Sequence, residues 1–369
     1  MSEPRGPSPE YFMRQALRLA RHSATLPYPN PWVGCVIARN GKIVGRGTHR
    51  GAGTNHAEVE ALEQAGARAR GATIYVTLEP CCHYGRTPPC TDAILSAGIH
   101  KVFYALRDPN PLVAGRGAKI LKHRGLEVAG GLCSQEAALL NEVYLEYIAT
   151  GLPFVTVKVA TSLDGKIATK TGESKWITDT VARRHARQLR AGYQAVLVGI
   201  NTVLADNPHL GSRRRGTPDP WRIVLDSRLR TPPGSQVVQS QKCIIACTEF
   251  ASVKKRTQLE RCGAQVWTFK GRRVPLKKLL VRLAEHEIIS VLVEGGSEVL
   301  GSFFDQKLVD RVYWFLSPII LGSQQSRVAI AGKGVAALRD ACRLQNANFK
   351  RVGKSWMVQG KLSRWALAR

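Results

Sequence analysis

Residues 72–90 read ATIYVTLEPCCHYGRTPPC. Ala72 to Leu78 is apolar, aromatic and β-branched, the composition of a buried strand. Three cysteines follow, Cys81 directly after Pro80, then Cys82, then Cys90 at the end of a loop closed by Pro88-Pro89. Thr91 to Ala97 reads as a helix stopped by Gly98. Upstream, His56-Ala57-Glu58 opens a helical pattern that runs to Ala65. One imidazole and two thiolates leave tetrahedral zinc a fourth position for water. Water held there loses a proton near neutral pH and can attack an amino-bearing ring carbon.

That attack needs a proton carrier, and Glu58, two residues past the histidine and not a ligand itself, suits the role. Taken singly, His56 reads as a surface histidine and Cys81 or Cys90 as a small buried hydrophobe. Together, with a strand leading into the first cysteine, they match the His-x-Glu and Pro-Cys pattern of zinc deaminases. The pattern selects Cys81 over Cys82 and His83 because Cys81 follows the proline. Eight residues separate Cys81 from Cys90, where the usual spacing is two. The inserted loop, with Arg86 among its polar groups, is expected to wall a pocket for a phosphorylated substrate.

Outward from this stretch, strands alternate with helices. Tyr11 to His22 suits an amphipathic helix. Val33–Ile37 and Lys42–Gly45 suit a hairpin around Asn40-Gly41. Lys101–Leu106 and Leu126–Ala129 read as strands, and Asn141–Ala149 as a connecting helix. Gly151-Leu152-Pro153 marks a boundary, giving expected domains 1–150 and 151–369. The second part continues with strands at Phe154–Ala160, Ala195–Val198, Arg222–Leu225, Lys242–Ala246, Val266–Phe269, Val291–Glu294 and Arg311–Leu316. Helices are expected at Ala182–Arg190 and Leu276–Ala284. Such alternation predicts an α/β architecture in both parts, the first an α/β sandwich around a mixed sheet.

The 369 residues carry a formal charge of +27. Residues 1–150 hold 17 Lys and Arg against 12 Asp and Glu, and residues 151–369 hold 37 against 15. This surplus raises polyanion binding, but Arg213-Arg214-Arg215, Lys254-Lys255-Arg256 and Lys277-Lys278 lack the interleaved aromatics of a single-strand platform. Phosphorylated small molecules are the expected partners. No stretch approaches the roughly 18 apolar residues of a membrane helix. The greasiest run, Val312–Leu321, reads as a core strand interrupted at Ser317-Pro318. The polar start gives no signal segment, so a cytoplasmic location is expected. Nine cysteines, with Cys81, Cys82 and Cys90 clustered, fit a metal site better than a disulfide framework.

The second part lacks Gly-x-Gly-x-x-Gly after a strand, so a Rossmann site is not indicated. Val291-Leu292-Val293 instead runs through Glu294 into Gly295-Gly296-Ser297 and a helix-like stretch. Glycines at a helix start let backbone amides approach a phosphate, although such a pair is most often a turn. Arg190 and Arg213 have the fork geometry for phosphate.

Further motifs carry a resemblance. Pro29-Asn30-Pro31-Trp32-Val33-Gly34-Cys35, His56-Ala57-Glu58-Val59, Gly85-Arg86-Thr87-Pro88-Pro89-Cys90 and Asp108-Pro109-Asn110-Pro111 occur in the first half. Ser162-Leu163-Asp164-Gly165-Lys166, Trp176-Ile177-Thr178, Thr202-Val203-Leu204-Ala205-Asp206 and Val293-Glu294-Gly295-Gly296 occur in the second. Over nearly its whole length the chain resembles the bifunctional diaminohydroxyphosphoribosylaminopyrimidine deaminase / 5-amino-6-(5-phosphoribosylamino)uracil reductases of riboflavin synthesis. The resemblance implies a cytidine-deaminase-like α/β/α sandwich joined to a dihydrofolate-reductase-like domain, with Zn2+ and NADPH as cofactors.

By the same resemblance, His56, Cys81 and Cys90 match the zinc ligands and Glu58 the proton donor. Asn30 matches a contact to the pyrimidine. Ala160, Trp176, Thr202, Asp206, Ser227 and the run from Gly296 match cofactor contacts. Ser174, Arg190, Leu210, Arg213 and Glu294 match substrate contacts. Asn207 departs from the family, which commonly has Asp there. The expected partners are a phosphorylated pyrimidine and further copies of the chain, with no membrane and, despite the charge, no nucleic acid. Two other readings stay open: a nucleic-acid zinc deaminase with a basic accessory domain, and a deaminase whose reductase half is inactive.

Overall fold

The computed structural model describes residues 7–22, 26–85, 87–213 and 216–362. The chain divides into two compact units, Met1–Leu152 and Pro153–Arg369.

The first unit holds strands β1 (Gly34–Arg39), β2 (Lys42–Thr48), β3 (Thr73–Leu78), β4 (Lys101–Leu106) and β5 (Glu127–Gly130). Its helices are α1 (Pro9–Arg21), α2 (Ala57–Ala65), α3 (Cys90–Ser96), α4 (Arg116–His123), α5 (Ser134–Leu140) and α6 (Glu142–Thr150). The sheet order is β2-β1-β3-β4-β5. The hairpin and the β1–β3 pair are antiparallel, and β3, β4 and β5 run parallel. Apolar residues on both faces of β1 and β3 require cover on both sides. Phe12, Met13, Ala16 and Leu17 of α1 cover one face with Val36 and Tyr75. Burying Phe12, Met13 and Leu17 contributes roughly 1.5–3 kcal/mol apiece. On the other face Ala57, Ala61 and Ala65 of α2 pack on Cys35, Ile37, Ile74 and Val76. The alanine stripe lets α2 lie so close to β2 that a Cβ at Gly45 or Gly47 would collide with the carbonyl of Ala61 or Ala57. The result is the expected α/β/α sandwich.

The second unit has nine strands: β6 (Phe154–Thr161), β7 (Ala195–Gly199), β8 (Trp221–Leu225), β9 (Cys243–Thr248), β10 (Gln265–Phe269), β11 (Ser290–Val293), β12 (Arg311–Leu316), β13 (Leu344–Val352) and β14 (Ser355–Leu362). Helices α7 (Thr180–Leu189), α8 (Ile200–Asp206), α9 (Val253–Arg261), α10 (Leu276–Glu285) and α11 (Ser297–Asp305) connect them. The order is β10-β9-β8-β7-β11-β6-β12-β14-β13. The strands from β10 to β12 are all parallel, and β14 and β13 add antiparallel at the far edge. β7, β9 and β11 are buried along their whole length, as strands covered on both faces must be.

The strand expected at Arg311–Leu316 is β12, which ends before Ser317-Pro318, so the apolar run does not continue as strand to Leu321, and Ile320 is exposed. The helix expected over Asn141–Ala149 is α6; a further helix that was not expected, α5, precedes it, with Asn141 at the joint, where its side chain bonds the backbone N–H and carbonyl of Trp32 (2.7 and 2.9 Å). Among the described residues no helix is long and apolar enough to cross a membrane.

Candidate active sites

Three elements converge at the first site. His56 is the N-cap of α2, Cys81 follows β3 and Pro80, and Cys90 is the first residue of α3. One nitrogen of His56 and the sulfurs of Cys81 and Cys90 lie within 4.8 Å of one another. The histidine presents Nδ1, 3.1 Å from Cys90 Sγ and 3.4 Å from Cys81 Sγ. Thr87 Oγ1 meets its other nitrogen, Nε2, at 3.2 Å, which fixes the ring. The two thiols titrate as a pair: their mutual hydrogen bond pulls Cys81 down, and the same bond with burial pushes Cys90 up. One thiolate is therefore ready for a cation, and a bound cation would favour deprotonation of the second. The donor set and its spacing fit zinc.

Cys82 lies outside this cluster, its sulfur turned toward the Leu112 carbonyl at 3.7 Å. Glu58, in the first turn of α2, is buried. Burial and then the nearby Cys81 raise its carboxyl to about 7. Asn30 is held by His49, Nδ2 to Nε2 at 2.9 Å, and His49 Nδ1 lies 3.2 Å from the Asn55 carbonyl. Burial lowers the pKa of His49, so the ring is neutral, donating to Asn55 and accepting from Asn30. Its ring stands edge-on to His56, centroids 5.2 Å apart. Sequence reasoning missed both His49 and Thr87. Arg86 lies outside the described residues.

In the second unit, one cleft of about 1650 Å3 opens along the carboxyl edge of the parallel strands. It is lined by Ala160, Trp176, Thr202, Asp206, Ser227 and Gly296, and also by Ser174, Arg190, Leu210, Arg213 and Glu294. At its centre Arg190 Nε and Nη2 donate to both oxygens of buried Glu294, at 2.6 and 2.9 Å. Lys158 Nζ lies 3.6 Å from the same carboxylate. Burial alone would raise Glu294, but Arg190 and Lys158 outweigh it and hold the carboxyl at about 2.

Other lining residues are held by contacts of their own. Gly296 N donates to Thr202 Oγ1 at 3.3 Å, and Lys175 pairs with Asp206 at 3.4 Å. Trp176 is 67% exposed, with the Arg183 guanidinium 4.1 Å from its ring centroid. Arg190 Nη1 also donates to the Gly211 carbonyl at 3.2 Å. Asn207, Leu210 and Arg213 all take left-handed φ (39°, 57° and 53°), a cluster of costly conformations of the kind ligand sites retain. Asn207 caps α8 in that conformation, which asparagine tolerates, and its Oδ1 accepts from Gln236 N at 2.8 Å. Lys158 and Arg183 were not nominated from sequence, although a lysine inside the strand-like FVTVKVAT was a visible signal.

A unit with three side chains placed to hold a metal ion beside a buried acid, in a chain whose second unit carries a cationic cleft on a parallel sheet, fits the class of two-domain deaminase–reductases. Comparison with known proteins agrees. The cytidine and deoxycytidylate deaminase zinc-binding region matches residues 7–106, and the RibD C-terminal domain matches residues 153–358. The riboflavin biosynthesis protein RibD of Bacillus amyloliquefaciens is 43% identical over 93% of this chain and 94% of its own. That of Escherichia coli is 40% identical over 93% and 96%. Among solved structures, a form of Acinetobacter baumannii RibD superposes with a TM-score of 0.87 at 37% identity, covering 96% of this chain and 98% of the other. The chain belongs to the RibD family, the bifunctional deaminase–reductases of riboflavin biosynthesis.

Proposed function

We propose that residues 1–150 deaminate 2,5-diamino-6-(5-phosphoribosylamino)pyrimidin-4(3H)-one, and that residues 151–369 then reduce its ribosyl side chain to ribityl with NADPH. The observation that carries this reading is the convergence of His56, Cys81 and Cys90 beside buried Glu58. A zinc ion held by those three groups supplies an acidified water as the nucleophile. Burial favours the neutral form of Glu58 and a neighbouring cation favours the ionised form, so both are accessible. Its carboxyl oxygens carry two protons in turn, one from the attacking water to the ring nitrogen and the second from the hydroxyl of the resulting adduct to the amine, which leaves as ammonia. Asn30, oriented by neutral His49, offers its amide to the edge of the pyrimidine. Thr87 keeps the His56 ring from turning.

In the second unit, NADPH supplies the hydride for C1 of the opened sugar. Glu294, locked by Arg190 and Lys158, gives a fixed acceptor for sugar hydroxyls. Arg213 offers a fork to the substrate phosphate. Gly295 and Gly296 let the cofactor approach the backbone beside Thr202. Twelve Lys and Arg against five Asp and Glu line this cleft, which supports a ligand pair bearing several phosphates.

The test is incubation of the purified protein with the phosphoribosylaminopyrimidine, measuring ammonia release and NADPH oxidation separately. Both are expected. Ammonia without NADPH oxidation would leave a deaminase alone, and neither would end the proposal.

A further inference from the structure

Glu79 stands between the end of β3 and Cys81, with its side chain buried. Among the described residues no Lys, Arg or His pairs with it, and its carboxyl group turns instead to the start of α4. Oε2 accepts from Gly115 N at 2.9 Å and Oε1 from Ala118 N at 3.0 Å. The first amides of a helix have no partner within it, and an acid placed there also meets the favourable end of the helix dipole. Gly115, the N-cap of α4, has no side chain to serve them. Glu79 therefore caps this helix from 36 positions upstream.

The junction continues along the main chain. A Cβ added at Gly117 would collide with the Pro80 carbonyl oxygen, so the first turn of α4 lies directly against the peptide that leads into Cys81. Glu79 N donates to the Leu106 carbonyl at 2.9 Å, where β4 ends. From the other side, Thr91 N in the first turn of α3 donates to the Cys81 carbonyl at 3.2 Å, and Cys90 N meets Cys81 Sγ at 3.3 Å. Cys81 is gripped between two helices, although it sits on a segment with no helix or strand of its own.

Metal ligation makes this grip consequential. A zinc–sulfur bond of about 2.3 Å tolerates departures of only about 0.2 Å. A ligand on an irregular segment meets that tolerance only when its main chain is fixed from outside. A cap for α4 could be supplied locally, by Ser, Thr, Asp or Asn at the N-cap itself. Here that position is glycine, and the cap comes from the residue two places before a ligand. Both bonds of the Glu79 carboxyl go to α4 and neither to a donor group, so it acts through the chain. We propose that Glu79 is a positioning residue of the metal centre, which clamps α4 to the Glu79-Pro80-Cys81 segment and so holds Cys81 Sγ where His56 and Cys90 converge. This rests on reading those three groups as the zinc ligands.

The test reads metal binding and needs no turnover. The zinc dissociation constant is measured by competition with a chromophoric chelator. The absorption spectrum of protein reloaded with Co2+ reports the geometry of the site and its bound thiolates. In Glu79→Gln one carboxyl oxygen becomes an NH2 group facing a backbone N–H, so a bond is lost. Zinc should bind about tenfold more weakly or worse, the lower end of what outer partners of a metal site contribute. The thiolate-to-cobalt band should weaken or shift. Glu79→Asp keeps the carboxylate but is one methylene short, and should lie between. Gly117→Ala strains the same junction from the helix side with Glu79 intact, and should weaken zinc as well, which keeps the test sharp if Glu79→Gln folds poorly. Leu121→Val loosens the core beneath α4 away from the junction. It should lower the melting temperature and leave zinc affinity and the cobalt spectrum unchanged. Parental metal binding in folded Glu79→Gln or in Gly117→Ala overturns the proposal, as does an equal loss in Leu121→Val, which would make the effect one of stability alone. An intact protein that binds neither ion overturns the metal-centre reading itself, and the proposal with it.

Discussion

Replacing Arg190 by methionine removes the main counter-charge of a carboxylate whose side chain is only 6% exposed. Removing one partner of a buried pair costs about 3–5 kcal/mol, because the other charge is stranded. The titration of Glu294 gives an independent figure. Its carboxyl is held at about 2, against about 4.3 in an unfolded chain. A depressed carboxyl pKa stabilises the fold above the unfolded value, and that stability is lost as pH falls toward the folded value. The shift corresponds to about 3 kcal/mol at pH 7, with roughly half remaining at pH 3. Lys158 still partners the carboxylate in the variant, so the low end of the range applies. The assay is urea unfolding followed by tryptophan emission. Of the seven tryptophans only Trp32 lies in the first half, so the signal reports the reductase unit. Arg190→Met should be less stable than the parent by about 3 kcal/mol at pH 7, with the gap narrowing between pH 4 and pH 2. A gap below about 1 kcal/mol, or one that stays constant down to pH 2, would refute the argument.

Glu58→Gln should stop ammonia release while elemental analysis still finds one zinc per chain; loss of the metal would mean that Glu58 holds the centre together rather than moving protons. Gly47→Ala drives a methyl group into the Ala57 carbonyl, so it should cost about 1–3 kcal/mol and also lower zinc occupancy, both readable by thermal melting with metal analysis. Chelation should abolish deamination and leave NADPH oxidation intact when the deaminated intermediate is supplied directly; loss of both activities would contradict separate sites.

What could be read from the sequence follows what is buried. β3, β4, β7 and β11 announce themselves because apolar residues dominate strands enclosed by helices. β13 does not: Leu344–Val352 is exposed at almost every position, and its residues carry no alternation. α4 also escaped notice, since Gly115 rather than a capping side chain begins it and only Gly117, Ala118 and Leu121 are buried. The proposed metal ligands were legible because few residue types bind zinc. His49 and Thr87 were not, because their roles exist only through partners 19 and 31 positions away in the chain. The eleven reductase positions came from resemblance, and what the fold adds is that they share one cleft.

The start of α2 places His56 and Glu58 on a single stiff rod, within one turn of each other. Their separation is therefore set by peptide geometry and does not depend on how the domain is packed. Any change that slides this rod along the sheet shifts both groups together. Variants that disturb the packing beneath it should lose ion affinity and turnover in proportion, whereas variants of the cysteine loop can impair the first without moving the acid.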